Sequence, residues 1–166
     1  MNTWQLLSVV KARLLAAAWV ASPSTNVFGT VKITAGPQQT GVERMRFPAM
    51  MIAPGGSVAD RLEPKLLEQT INFRLVVKVA GDAWGESALM GGPETVTGGD
   101  SKGKGLFQIE EQMLTVIQDL QQKDGIRIRQ ISQSAVQPAE VEELGYVVIR
   151  DYTMQAWTST EQSVVP

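Results

Sequence analysis

Apolar side chains recur at helical intervals from Thr3 to Ala21, where Trp4, Leu7, Leu14, Leu15 and Ala18 fall on one stripe and Lys11 stands at its edge. That spacing predicts an amphipathic helix with one buried face. Thr3 is placed to cap its start, and Pro23 lies just past its end. The period then drops to two. Val27 to Thr34 alternates, with Val31 and Ile33 against Thr30, Lys32 and Thr34, and Gly36-Pro37 stops it. Met45 to Ala53 reads as a second strand, with Pro48 near its start where a missing N–H is tolerated, and Pro54-Gly55-Gly56-Ser57 reads as a turn.

The strongest alternation runs from Glu68 to Val79: Ile71, Phe73, Leu75, Val77 and Val79 point one way, Asn72, Arg74 and Lys78 the other. A second helix is predicted over Leu106 to Lys123, with Leu106, Ile109, Met113, Ile117 and Leu120 on its stripe, Glu110 and Glu111 in its first turn, and Gly125 at its stop. Two more strands, Ile126 to Ser132 and Tyr146 to Trp157, flank a segment containing Pro138, Glu140, Glu142 and Glu143. The expected order is α-β-β-β-α-β-β. Consecutive strands make this an α+β protein with an antiparallel or mixed sheet and both helices on one face. Residues 1–158 form one domain in this reading, and 159–166 a C-terminal tail.

Between Gly81 and Gly105 lie 25 residues with eight glycines, a stretch expected to be a mobile loop with a functional role. Within it, Gly98, Gly103 and Lys104 match the spacing of a phosphate-binding loop before a helix. The position that should carry a magnesium-binding hydroxyl is Gly105, however, and no strand directly precedes the loop, so a nucleotide-dependent activity through Lys104 is the weaker reading. Trp84 stands in the same segment with little apolar company, as an interface anchor would.

Composition narrows the chemistry. The 166 residues contain no cysteine and no histidine, which removes disulfides, thiol nucleophiles, and imidazole as base or ligand. A net charge of −2 argues against a general nucleic-acid binder. The charge is nevertheless uneven: residues 1–50 hold five basic and one acidic side chain, residues 106–166 four basic and nine acidic. Such a chain suits different partners at its two ends, or successive copies of itself. The pairs Glu110/Glu111 and Glu142/Glu143 are neighbours that diverge rather than converge on a substrate, and Glu140, Glu142 and Glu143 lack the spacing of a calcium loop. Ser57 has no imidazole to activate it. No catalytic residue, metal site or cofactor is expected. The apolar stretch Leu14 to Ala21 fails as a signal peptide, because Trp19 would occupy a position that must be small for cleavage after Ala21. No run of about 18 apolar residues is present to span a bilayer.

The layout resembles the tail terminator, or tail completion, proteins of long-tailed bacteriophages. The matching elements are the helix Trp4–Ala21, Phe47-Pro48-Ala49 at a strand start, the long strand Ile71 to Val79, the helix Leu106–Leu120 and the closing strand Tyr146–Trp157. The resemblance implies a structural virion protein forming a ring, usually of six subunits, that caps the tail tube, ends its polymerisation and helps join the tail to the head connector. Its implied partners are copies of itself, the tail tube protein and the connector protein, with DNA only passing through the lumen and no membrane. Its place would be the head-proximal end of the tail, after assembly in the host cytoplasm. A neck subunit of the head–tail connector and a small assembly chaperone are the alternatives. The residues expected at the interface are Trp84, Gly91, Gly92, Lys102 and Lys104 in the glycine-rich segment, with Phe47 and Trp157 on strands; the loop from Gly91 to Gly105 is expected to order on assembly.

Overall fold

The computed structural model describes residues 1–36, 45–59, 66–79, 85–92, 101–141 and 145–159. Helix α1 spans Thr3–Leu15 and is capped by Asn2 rather than Thr3. The Asn2 side chain accepts from the Gln5 backbone N–H at 2.9 Å, and the Gln5 side chain accepts from the Asn2 N–H at 2.8 Å, a reciprocal capping box. Its buried stripe is Leu6, Leu7, Val10 and Leu14, whereas Trp4 is 68% and Leu15 44% exposed. The helix holds two apolar arcs, and the broader one won the core.

The helix also stops six residues short of Ala21. Ala18–Trp19 (β1) turns back to pair antiparallel with Ser22–Asn26 (β2). The reversal puts the Trp19 indole into the core, where its Nε1–H donates to Ser101 Oγ at 3.1 Å. A continued helix would have carried that ring away from Ser101, the acceptor of its N–H.

Strands β3 (Thr30–Ile33), β4 (Ala49–Ala59), β5 (Leu66–Lys78), β6 (Arg127–Gln133), β7 (Gln137–Val141) and β8 (Gly145–Ser159) form one mixed sheet. Its order is β3-β4-β5-β8-β6, with β7 also on β8; β3 runs parallel to β4 and every other pairing is antiparallel. The α+β expectation holds, with a mixed sheet and α1 and α3 (Leu106–Lys123) packed on one face.

Neither of two expected interruptions ends the strand pairing. Pro54-Gly55-Gly56-Ser57 does not end β4; the register shifts between Pro54 and Ser57 and pairing with β5 resumes at Ser57↔Gln69. Gly56 takes φ +108°, and a Cβ on Gly55 would lie 2.8 Å from the Thr70 methyl, so only glycines let the strand kink this close to its neighbour. Likewise the segment with Pro138 is β7, a continuation of the β6 edge along β8 after a jog at Ser134 to Val136. Among the described residues β7 pairs with β8 alone, and a proline is tolerated on such an edge strand.

Alternation along β5 sorts the two faces as expected. Ile71, Phe73, Leu75, Val77 and Val79 join the main core with α1 and α3, while Asn72, Arg74 and Lys78 face the opposite side. That side has its own smaller cluster of Phe47, Ala49, Met51, Val76 and Val147. The Phe47-Pro48 peptide bond is cis, and the Pro48 carbonyl accepts from the Gly29 N–H at 2.9 Å.

Candidate interaction surfaces

The glycine-rich segment is folded wherever it is described. Glu86–Met90 forms a one-turn helix, α2, that meets the start of α3 through two glycines. A Cβ on Gly105 would fall 2.3 Å from the Gly91 nitrogen and 2.5 Å from the Leu89 carbonyl oxygen, and Gly91 itself sits at φ +81°. The Gly92 N–H donates to the Gly103 carbonyl at 3.0 Å, and the Gln108 side chain accepts from the Gly105 N–H at 2.8 Å. Gly91 and Gly105 are thus close-approach residues in the single chain; residues 93–100 of the loop expected to order on assembly lie outside the described residues. Permissive backbone and tight packing call for the same residue, so a run of glycines does not by itself tell one from the other.

Residues Ser101 to Gly105 are held as firmly. Ser101 is buried, accepts from Trp19 and donates to the Val27 carbonyl at 2.5 Å. Lys104 places its ammonium 5.0 Å from the centroid of the Trp19 ring, a cation–π contact, and Lys102 is exposed. Lys104 thus lies over the hairpin indole, and the N–H of Gly105, the N-cap of α3, is taken by Gln108. Gly98 to Asp100, the start of the phosphate-loop spacing, lie outside the described residues, as do Trp84, Glu142 and Glu143.

Between α3 and the sheet, Glu110 gathers a buried polar network. Tyr152 OH donates to Glu110 Oε2; Arg150 donates to the same carboxylate at 3.0 Å and Gln133 at 3.2 Å. Arg150 Nε also donates to the Ser134 carbonyl at 3.0 Å, tying the network to the jog between β6 and β7. Burial, and after it the hydrogen bond to Glu110, raises the Tyr152 pKa well above the ordinary phenol value. With every charge satisfied by a neighbour, this is a pin that fixes α3 on the sheet. Sequence reading assigned Glu110 to the helix dipole alone; its partners lie 23 to 42 residues away, and no local spacing reveals them.

On the helix-free face Arg74 and Asp151 form a two-pronged ion pair at 2.7 and 2.8 Å, and Thr153 donates to Asn72 at 3.2 Å. The hydrogen bonds to Asp151 raise the Arg74 pKa against the opposing effect of desolvation. Trp157 is half-buried on the same face, directly opposite Glu68 in the β5–β8 register. Phe47, expected as an interface residue, is only 6% exposed and packs in this chain's own smaller cluster beside Val76 and Val147. A ring inserted between strands is covered by them before any partner arrives.

Large apolar side chains do reach solvent, but elsewhere. Among the described residues they are Trp4, Leu15, Val20, Met90 and Phe107, and all five belong to the helices or to the β1–β2 turn. Val20 is 87% exposed at the rim of an open cleft of about 320 Å³ between the end of α1 and α3, floored by Ala16, Ala17, Ala18 and Val116. Sequence reading placed Trp4 and Leu15 in the core; a helix with apolar residues on two arcs gives no local sign of which arc is covered. Among the described residues no group of three or more metal-ligating side chains converges, and no helix is long and apolar enough to cross a membrane. Comparison of the chain with models of known protein families matches none of them. A search of curated proteins finds no significant match.

Proposed function

We propose that this chain is a ring-forming structural subunit that caps a phage tail tube and ends its growth, the role its layout resembles. The observation that carries the reading is the apolar exposure of the helix layer: Trp4 at 68%, Met90 at 55% and Leu15 at 44% on elements otherwise well packed. Aromatic and aliphatic side chains presented on rigid helices are the anchors of protein interfaces. The sequence elements that carry the resemblance fold into one unit: the Phe47-Pro48-Ala49 start leads into β4, and β5 and β8 pair along their length beneath α3.

The physical task is simple. A growing tube end exposes subunit surface that recruits the next tube subunit; a ring bound there removes that site and offers a different surface to the connector. Light scattering across a range of concentrations, with negative-stain microscopy, tests the proposal. Six chains of 18.0 kDa give a mass of about 108 kDa and annular particles. A mass of one chain at every concentration, unchanged when tail tube polymer is added, overturns it. Binding to portal protein but not to tube would assign the chain to the neck instead.

A further inference from the structure

The two long helices present matching outward stripes. On α1, Trp4, Ser8, Lys11 and Leu15 are spaced four, three and four residues apart; on α3, Phe107, Glu111, Leu114 and Gln118 repeat the same spacing. At about 100° per residue each set lies within an arc of about 60° that flanks the helix's buried residues; Leu114 also packs against the main core, and the Phe107 ring centroid lies 6.0 Å from the Arg150 guanidinium. Trp4, Leu15 and Phe107 are exposed apolar groups; Glu111 and Gln118 are exposed, and Ser8, Lys11 and Leu114 half-exposed. Neither Lys11 nor Glu111 has an ion-pair partner among the described residues. A four-three-four stripe is the spacing of a helix–helix seam, in which residues at alternate intervals interdigitate with those of a facing helix.

We infer that α1 of one copy packs antiparallel on α3 of a second copy, with Leu15 against Phe107, Lys11 against Glu111, Ser8 against Leu114 and Trp4 over Gln118. The antiparallel direction sets Lys11 opposite Glu111 and opposes the two helix dipoles; the parallel alternative sets Lys11 against Leu114, leaves Glu111 facing Ser8 and aligns the dipoles. The occupant is a second copy because the basic and acidic halves of the seam are both carried by this chain. The two halves are different surfaces; in the ring arrangement each copy uses α1 toward one neighbour and α3 toward the other, and head-to-tail repetition closes when the rotation per step divides a full turn. The inference rests on the ring reading above and names its subunit contact.

The absence of cysteine makes the test clean. Leu15→Cys and Phe107→Cys, introduced together and oxidised with and without tail tube polymer, should give a ladder of cross-linked chains up to the full ring on non-reducing electrophoresis. Each single substitution should give uncrosslinked chains, and a mixture of the two singles a cross-linked pair. In parallel, Lys11→Glu and Glu111→Lys should each weaken self-association about tenfold, and the combined reversal should restore it. Rings that form by light scattering yet neither cross-link nor respond to the reversals overturn this contact while leaving the ring reading standing. A double variant whose cross-linking stops at two chains overturns the head-to-tail arrangement. A wild-type chain that stays monomeric with tube present overturns the ring reading, and the contact with it.

Discussion

Glu110→Ala is the sharpest test of how α3 is held. The carboxylate accepts from Arg150, Tyr152 and Gln133, and the Glu110 and Arg150 side chains are only 11% and 17% exposed. Truncation leaves Arg150 without a counter-charge and Tyr152 OH without an acceptor. Removing one member of a buried pair costs about 3–5 kcal/mol, and the residual water access here puts the expectation near the lower end, about 3 kcal/mol. For a chain of this length each kcal/mol moves Tm by about 2–4 °C, so the midpoint should fall by about 6–12 °C. Urea denaturation should show the midpoint shifting at unchanged slope, the sign that stability alone has changed. Glu110→Met combined with Arg150→Met removes both charges together and should recover at least about half of the loss. A loss under about 1 kcal/mol for Glu110→Ala, or no recovery in the double variant, would show that the network does not pin the helix as argued.

Two further predictions follow from groups already placed. Tyr152 is held protonated in the fold by burial and by Glu110, but ionises in the unfolded chain near the ordinary phenol value; the unfolded state then binds fewer protons, so stability is whole below about pH 10 and falls as pH rises past it. Tyr152→Phe should flatten that decline, and Tm profiles of the two proteins that run parallel through pH 9 to 11 would contradict the assignment. Gly105→Ala drives a methyl against the Gly91 nitrogen and the Leu89 carbonyl and should cost about 3 kcal/mol by overpacking, whereas Gly125→Ala, at φ +66° with nothing within 4 Å, should cost about 1 kcal/mol of backbone strain. Equal losses in denaturant titrations of the two variants would show that the α2–α3 contact is looser than its geometry states.

The chain's own pattern determined its class and its long elements. The alternation from Ile71 to Val79 and the stripe from Leu106 to Leu120 each repeat long enough to fix period and face, because burial demands one apolar side from a strand or helix wherever it lands. The absence of cysteine and histidine likewise set its chemical limits without any structure. What the pattern left open was settled by contacts between distant residues. The choice of the Leu6–Leu14 arc over that of Trp4 depends on which face α3 and the sheet cover. The turn of the chain at Ala18 depends on Ser101, 82 residues from Trp19. The pairing of β3 parallel to β4, the run of β4 through its glycines, and the capture of Glu110 by β8 all rest on neighbours that adjoin only after folding. Gly91 and Gly105 show the reason most plainly: a local sequence records that a backbone is permissive, while only the packed fold decides whether that freedom is spent on motion or on an approach too close for any side chain.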